Sequence, residues 1–202
     1  MNRRVVCSIV VAIAVATTVT AIEAPLPRHP APSPDGSRIV FSWQGDLWLV
    51  PAIGGQAERL TAHPAVERFP VWSRDGRLIA FVSTRHGNDD VFVMPVDRSS
   101  APTRLTFAST GDTPESFTPD GGAVLFSSNR AQSVRRGSQL WTVKLTGGTP
   151  TLAEEALGTN AAYEDERFAI RGVGGVRGFA AVIAGRETAT CGCETRPASS
   201  CC

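Results

Sequence analysis

From residue 28 onward, apolar and polar positions alternate in short bursts that recur at long intervals. Ile39 and Phe41, Ile79 and Phe81, and Val124 and Phe126 each stand two residues apart, the period of a strand with one face buried. Each burst follows a turn signal: Ser33-Pro34-Asp35-Gly36, Ser73-Arg74-Asp75-Gly76 and Thr118-Pro119-Asp120-Gly121, spaced 40 and 45 residues apart. A second strand then opens at Asp46-Leu47-Trp48, Asp90-Val91-Phe92 and Gln139-Leu140-Trp141. Gly54-Gly55, Ser99-Ser100 and Gly147-Gly148 mark the next turn. Arg59-Leu60-Thr61 and Arg104-Leu105-Thr106 begin a further strand, eroded in the third copy to Pro150-Thr151-Leu152. With a leading strand such as Phe69-Pro70-Val71-Trp72, one copy holds four short strands in the length of one β-propeller blade.

The turn residues have a direct physical reading. Aspartate bonds back to the local backbone, and glycine accepts positive φ without a Cβ clash. Asp35, Gly36, Asp75, Gly76, Asp120 and Gly121 are therefore assigned as structural determinants of the three turns. Asp46 and Asp90 are expected to bond local backbone at a strand start. The aromatic residues Trp43, Trp48, Trp72, Phe81, Phe92, Phe126 and Trp141 are expected to pack between blades.

Composition sharpens this all-β reading. The 202 residues include 19 Gly and 14 Pro, and runs of good helix formers are scarce. A formal net charge of +1 gives no reason to expect nucleic acid as a partner. His29-Pro30-Ala31 and His63-Pro64-Ala65 recur, but with no carboxylate at a recurring spacing they predict packing in connecting loops and no metal site. No cofactor motif and no interpretable Ser, His and Asp constellation is present, so no catalytic residue is assigned.

The N-terminus belongs to a different class of signal. Asn2-Arg3-Arg4 precedes an apolar run over residues 5–19 and the small residues Val19-Thr20-Ala21. This is the pattern of an exported protein's signal peptide over residues 1–21, and the run is short for a membrane span. The expected location is periplasmic or extracellular, with no stable membrane span after cleavage.

Blades of this wording resemble the WD40-like, or PD40, repeats of tricorn-type proteases, of TolB and of prolyl oligopeptidase relatives. The residues that carry the resemblance are Arg28-His29-Pro30-Ala31-Pro32-Ser33-Pro34-Asp35-Gly36, Gln44-Gly45-Asp46-Leu47-Trp48 and Arg85-His86-Gly87-Asn88-Asp89-Asp90-Val91-Phe92-Val93-Met94-Pro95. They point to the tricorn-like serine peptidases of the S41 class, with a TolB-like propeller as the second choice. The resemblance covers residues 28 to about 150 and implies the first blades of a six-bladed propeller. It also implies later PDZ-like and serine-peptidase domains, whose catalytic residues match no position here, and a peptide or protein ligand.

The expected blades run over 28–65, 66–110 and 111–152 within a propeller segment of 22–152. After Leu152 the pattern dissolves over 153–202, residues 167–202 become rich in Arg, Gly and Ala, and Cys191, Cys193, Cys201 and Cys202 fall at their end. That stretch reads as a disordered extension, a small metal or disulfide module, or sequence translated out of frame. Three blades do not close a ring, because natural rings use about four to eight. The expectation is that the third blade exposes Val124 and Phe126, and that self-association or further domains complete the ring.

Overall fold

The alternation and turn chemistry produce antiparallel hairpins in unbroken succession. The computed structural model describes residues 26–130, 138–164 and 167–172. The expected signal peptide and residues 173–202, with their cysteines, lie outside them. No helix occurs among the described residues.

The first blade comprises β1 (Arg28–Pro32), β2 (Arg38–Trp43), β3 (Asp46–Pro51) and β4 (Glu58–Arg59), paired in that order. The second comprises β5 (Glu67–Trp72), β6 (Leu78–Ser83), β7 (Asp90–Pro95) and β8 (Thr103–Arg104). The third comprises β9 (Asp112–Phe117), β10 (Ala123–Ser128), β11 (Gln139–Lys144) and the start of β12 (Thr151–Glu164). The edge strands β1, β5 and β9 stand beside one another in succession. They therefore surround the axis, and the blades radiate outward from them.

Three expectations are corrected. First, His29-Pro30-Ala31 is no connecting loop but the centre of β1. A bulge between Arg28 and Ala31 inserts one residue against β2, which hides the alternation from the sequence. Second, Val124 and Phe126 are fully buried, because their strand face points back to the second blade. They pack there with Ala80, Val91, Val93 and Leu105. Leu125 and Leu140 lie on the opposite face and are buried as well.

Third, the chain does not lose its pattern at Leu152. β12 continues to Glu164, comes alongside β9 as β9 stands alongside β5, and pairs with β13 (Arg167–Gly172). The β12–β13 register is Thr159↔Arg171, Ala162↔Ala169 and Tyr163↔Phe168, with a bulge after Thr159. β5–β6 has the same register, Arg68↔Val82, Val71↔Ala80 and Trp72↔Ile79, with its bulge after Arg68. The second half of β12 and β13 are thus the first two strands of a fourth blade. The sequence that joins them, Asp165-Glu166, lacks the Asp-Gly signature.

The hydrophobic cores lie between blades, not within them. One joins Val40, Leu47 and Leu60 of the first blade to Trp72, Ile79, Phe81, Phe92, Met94 and Val96 of the second. The other joins the second blade to the third. On the outward face of the first blade, Ile39, Phe41, Trp48 and Val50 occupy the matching positions and are only half-buried.

The three Asp-Gly turns share one geometry. Gly36, Gly76 and Gly121 have φ of 69°, 68° and 69°, a region that costs other residues about 1–2 kcal/mol. Asp35 Oδ1 accepts from the Ser33 hydroxyl at 2.5 Å and the Ser37 amide at 3.1 Å. Asp75 does the same with Ser73 and Arg77, and Asp120 with Thr118 and Gly122. These bonds, led by the Ser33 hydroxyl, hold the Asp35 carboxyl down at about 2. Gly76→Val is expected to lower stability by about 1–2 kcal/mol or more, since a β-branched residue tolerates positive φ poorly. Urea unfolding of the valine variants at positions 36, 76 and 121 checks this, and unchanged midpoints in all three would refute the turn geometry.

Candidate functional site at the axial rim

At one end of the propeller, four kinds of segment converge at each blade boundary. Inner strands begin there, second strands end, third strands begin, and the linkers from outer strands return. Loops presented from a rigid frame are the usual seat of propeller recognition.

The rim is built on buried ion pairs that repeat from boundary to boundary. At the first boundary, Asp46 pairs with Arg59 within the first blade at 2.5 Å, and Glu67 pairs with Arg85 within the second. At the second boundary, Asp90 pairs with Arg104 within the second blade at 2.7 Å, and Asp112 pairs with Arg130 within the third at 2.6 Å. Glu67, Asp90 and Asp112 are all fully buried. Burial pushes the Glu67 carboxyl up, opposed by the Thr61 hydroxyl and the Arg85 guanidinium. Burial also raises Asp90, against the pull of Arg104.

Backbone bonds complete each boundary. The Glu67 amide donates to Gly45 O at 2.7 Å, and the Asp112 amide to Asp89 O at 2.8 Å. Thr61 and Thr106 accept from the Leu47 and Val91 amides, both at 2.9 Å. Asp46 and Asp90 therefore act across strands, through arginines of the outer strands. The local backbone role expected from sequence is corrected accordingly, although Asp46 also accepts from the distant His63 amide at 3.3 Å.

Inside this frame, the bulges of adjacent inner strands meet. His29 and Phe69 occupy the same bulge position of β1 and β5, both with positive φ, 51° and 54°. Bulky residues rarely adopt that conformation, and strain of this kind gathers at functional sites. Their rings lie 4.0 Å apart, and the Arg68 guanidinium stands 5.7 Å from the Phe69 ring. Asp89 holds Arg68 through two bonds of 2.8 and 2.6 Å. Phe69 remains 37% exposed beside these partners. Burial, then Arg68 and Arg28, lowers the His29 pKa and so favours the neutral ring. The patch thus offers an aromatic stack beside the fixed Arg68 guanidinium, an arrangement suited to binding.

The structural turn residues Asp35, Gly36, Asp75, Gly76, Asp120 and Gly121 lie at the opposite rim and take no part in this patch. His63 sits in a linker, where its Nδ1 accepts from the Ala65 amide at 3.0 Å. Among the described residues, no group of three His, Cys, Asp or Glu is placed to hold a metal ion. No helix there is long and apolar enough to cross a membrane. The clamp pairs were legible in principle: both Glu67–Arg85 and Asp112–Arg130 are 18 residues apart.

Comparison with known proteins agrees with this architecture. Tricorn protease homolog 1 of Streptomyces coelicolor is 33% identical over 120 residues, covering 59% of this chain and 11% of that protein. An uncharacterized protein of Agrobacterium fabrum is 28% identical over 122 residues, covering 58% of this chain and 40% of its own length. The chain thus spans well under half of either relative. The crystal structure of the tricorn protease superposes with a TM-score of 0.62 at 23% identity, covering 73% of this chain and 15% of that one. A putative TolB from Agrobacterium tumefaciens superposes at 0.60 and 22% identity, covering 70% and 52%. These likenesses are of fold. Residues 25–173 match the family described as the tricorn protease N-terminal beta propeller domain, and the chain belongs to that family.

Proposed function

We propose that this chain is the non-catalytic propeller portion of an exported, tricorn-like serine peptidase of the S41 class. In this reading the axial rim binds extended peptide or protein segments and guides them toward a catalytic domain elsewhere in the protein. The observation that supports it is the strained His29–Phe69 pair, with Phe69 exposed and Arg68 and Asp89 beside it. Export rests on the signal-peptide pattern of residues 1–21, ahead of blade strands that run on to Gly172. The likeness to putative TolB, which this chain covers over about half its length, supports a second reading. There the propeller stands alone and its rim contacts another folded protein.

Phe69→Ser is expected to weaken binding of fluorescein-labelled unfolded casein about fivefold, the value of one aromatic contact, with the thermal midpoint unchanged. Anisotropy titration of the parent and variant chains measures this. Equal affinity of the two, or no binding by either, would remove the axial site from the function. Capture of a folded envelope protein without casein binding would favour the second reading.

A further inference from the structure

The first two blades share one feature of the axial rim, and the first blade holds only half of it. In the second blade, Arg68 stands opposite Val82, directly before the bulge of β5. In the first, Arg28 stands opposite Ser42, directly before the bulge of β1. Ser42 and Val82 hold the same place in their blades, opposite Leu47 and Val91 of the third strands. Arg28 and Arg68 are therefore repeats of one position. The third blade has Thr113 there, opposite Ser127.

What holds the arginine is not repeated. Asp89 accepts two bonds from Arg68, and the main chain identifies its counterpart in the first blade. Asp89 O accepts the amide of Asp112, which opens β9, and Gly45 O accepts the amide of Glu67, which opens β5. Gly45 thus stands where Asp89 stands, and it has no carboxylate to offer. The connection Gln44-Gly45 is shorter than Thr84 to Asp89 and turns with Gly45 at a φ of 89°, a conformation that disfavours a side chain. Among the described residues, no carboxylate pairs with Arg28. Arg28 is exposed, and its charge, with that of Arg68, helps to lower the His29 pKa. The guanidinium therefore belongs to the same patch as the His29–Phe69 stack.

We infer that Arg28 is a carboxylate-binding residue of the axial rim. A carboxylate of the bound segment, from an acidic side chain or from a chain end, takes at Arg28 the place that Asp89 takes at Arg68. This rests on the reading of the rim as a peptide site and names the group in the peptide that is recognised. An arginine fork holds a carboxylate through two parallel bonds, and Asp89 shows that the rim accommodates such a pair. The exposed Phe69 ring nearby receives the apolar part of the same segment.

Calorimetric titration of the whole chain with three unlabelled, N-acetylated peptides tests it. Each peptide carries one phenylalanine. The first is amidated and has no acidic residue, the second is amidated and has one glutamate, and the third has no acidic residue but a free C-terminal carboxylate. At least one of the two carboxylate peptides is expected to bind about fivefold tighter than the neutral one, the upper value of an exposed ion pair. The one that does so names the source of the carboxylate. In Arg28→Gln that preference is expected to vanish, with the neutral peptide bound as before. Equal binding of all three by the parent would overturn the inference and leave peptide binding at the rim standing. So would a preference that survives Arg28→Gln, or an equal loss for all three peptides in that variant. Binding of none by the parent would remove the peptide reading of the rim together with the inference.

Discussion

Arg85→Leu is expected to lower the unfolding free energy by about 3–5 kcal/mol at neutral pH, the cost of leaving a buried charge unpaired. Glu67 is fully buried, and Arg85 supplies its counter-charge. The guanidinium also stands 4.6 Å from the Phe92 ring, so its removal strips a cation–π contact from the same boundary. The variant should carry a distinctive pH dependence. Burial already raises the Glu67 pKa above its ordinary value, and loss of Arg85 raises it further. The folded state then binds a proton more tightly than the unfolded state. The variant's deficit is therefore full above the folded pKa and shrinks as pH falls through it toward the unfolded value. Urea unfolding of parent and variant at pH 7 and pH 5 measures both effects. The double variant Glu67→Leu/Arg85→Leu should recover much of the loss, because no charge is then left buried. A single variant as stable as the parent at both pH values would mean that the pair does not hold the boundary.

Phe81→Ala is expected to cost about 3–5 kcal/mol, whereas Phe41→Ala should cost less than half of that. The two phenylalanines hold the same position in successive repeats, opposite Phe92 and Trp48. They differ in what lies in front of them. Phe81 is fully buried against Val40, Leu47 and Leu60, while Phe41 lies on the outward face and is only half-buried. The pair separates the value of the repeat from the value of the neighbour. Thermal unfolding of the two variants under one condition checks it. Equal losses would mean that the outward face of the first blade is covered in solution, as it would be in a closed ring or a self-associated form.

Much of this fold was written in the alternation. The strand pairs Ile39/Phe41, Ile79/Phe81 and Val124/Phe126 and the three Asp-Gly turns define β2, β6 and β10 and the hairpins that feed them. β6 coincides with the stretch Leu78 to Ser83 expected from sequence. What escaped was whatever breaks the period of two. β1 was hidden because its bulge at His29 throws Arg28 and Ala31 out of step. The fourth blade was hidden because no Asp-Gly signal stands between Glu164 and Arg167 and its inner strand is the continuation of β12. Burial of Val124 and Phe126 depended on which way a strand face points, which one sequence window does not encode. The axial site was less legible than the fold. Its members His29, Arg68, Phe69 and Asp89 belong to two strand starts and a turn, and only the arrangement of blades around an axis brings Phe69 beside His29. The clamp arginines repeat at fixed spacing but look like ordinary surface charges until their partners prove to be buried.

Because each core is shared by two neighbours, no blade owns a core of its own. A single blade cut from this chain would expose half of two interfaces and gain nothing in return. Stability then accrues per boundary, so that n blades in a row hold n − 1 units of it and a closed ring holds one more. Lengthening or shortening such a chain by a whole repeat keeps every remaining face matched, while a change of half a repeat leaves an apolar sheet facing water. Gain and loss of entire repeats is therefore the route by which propellers of this kind can change size and still fold.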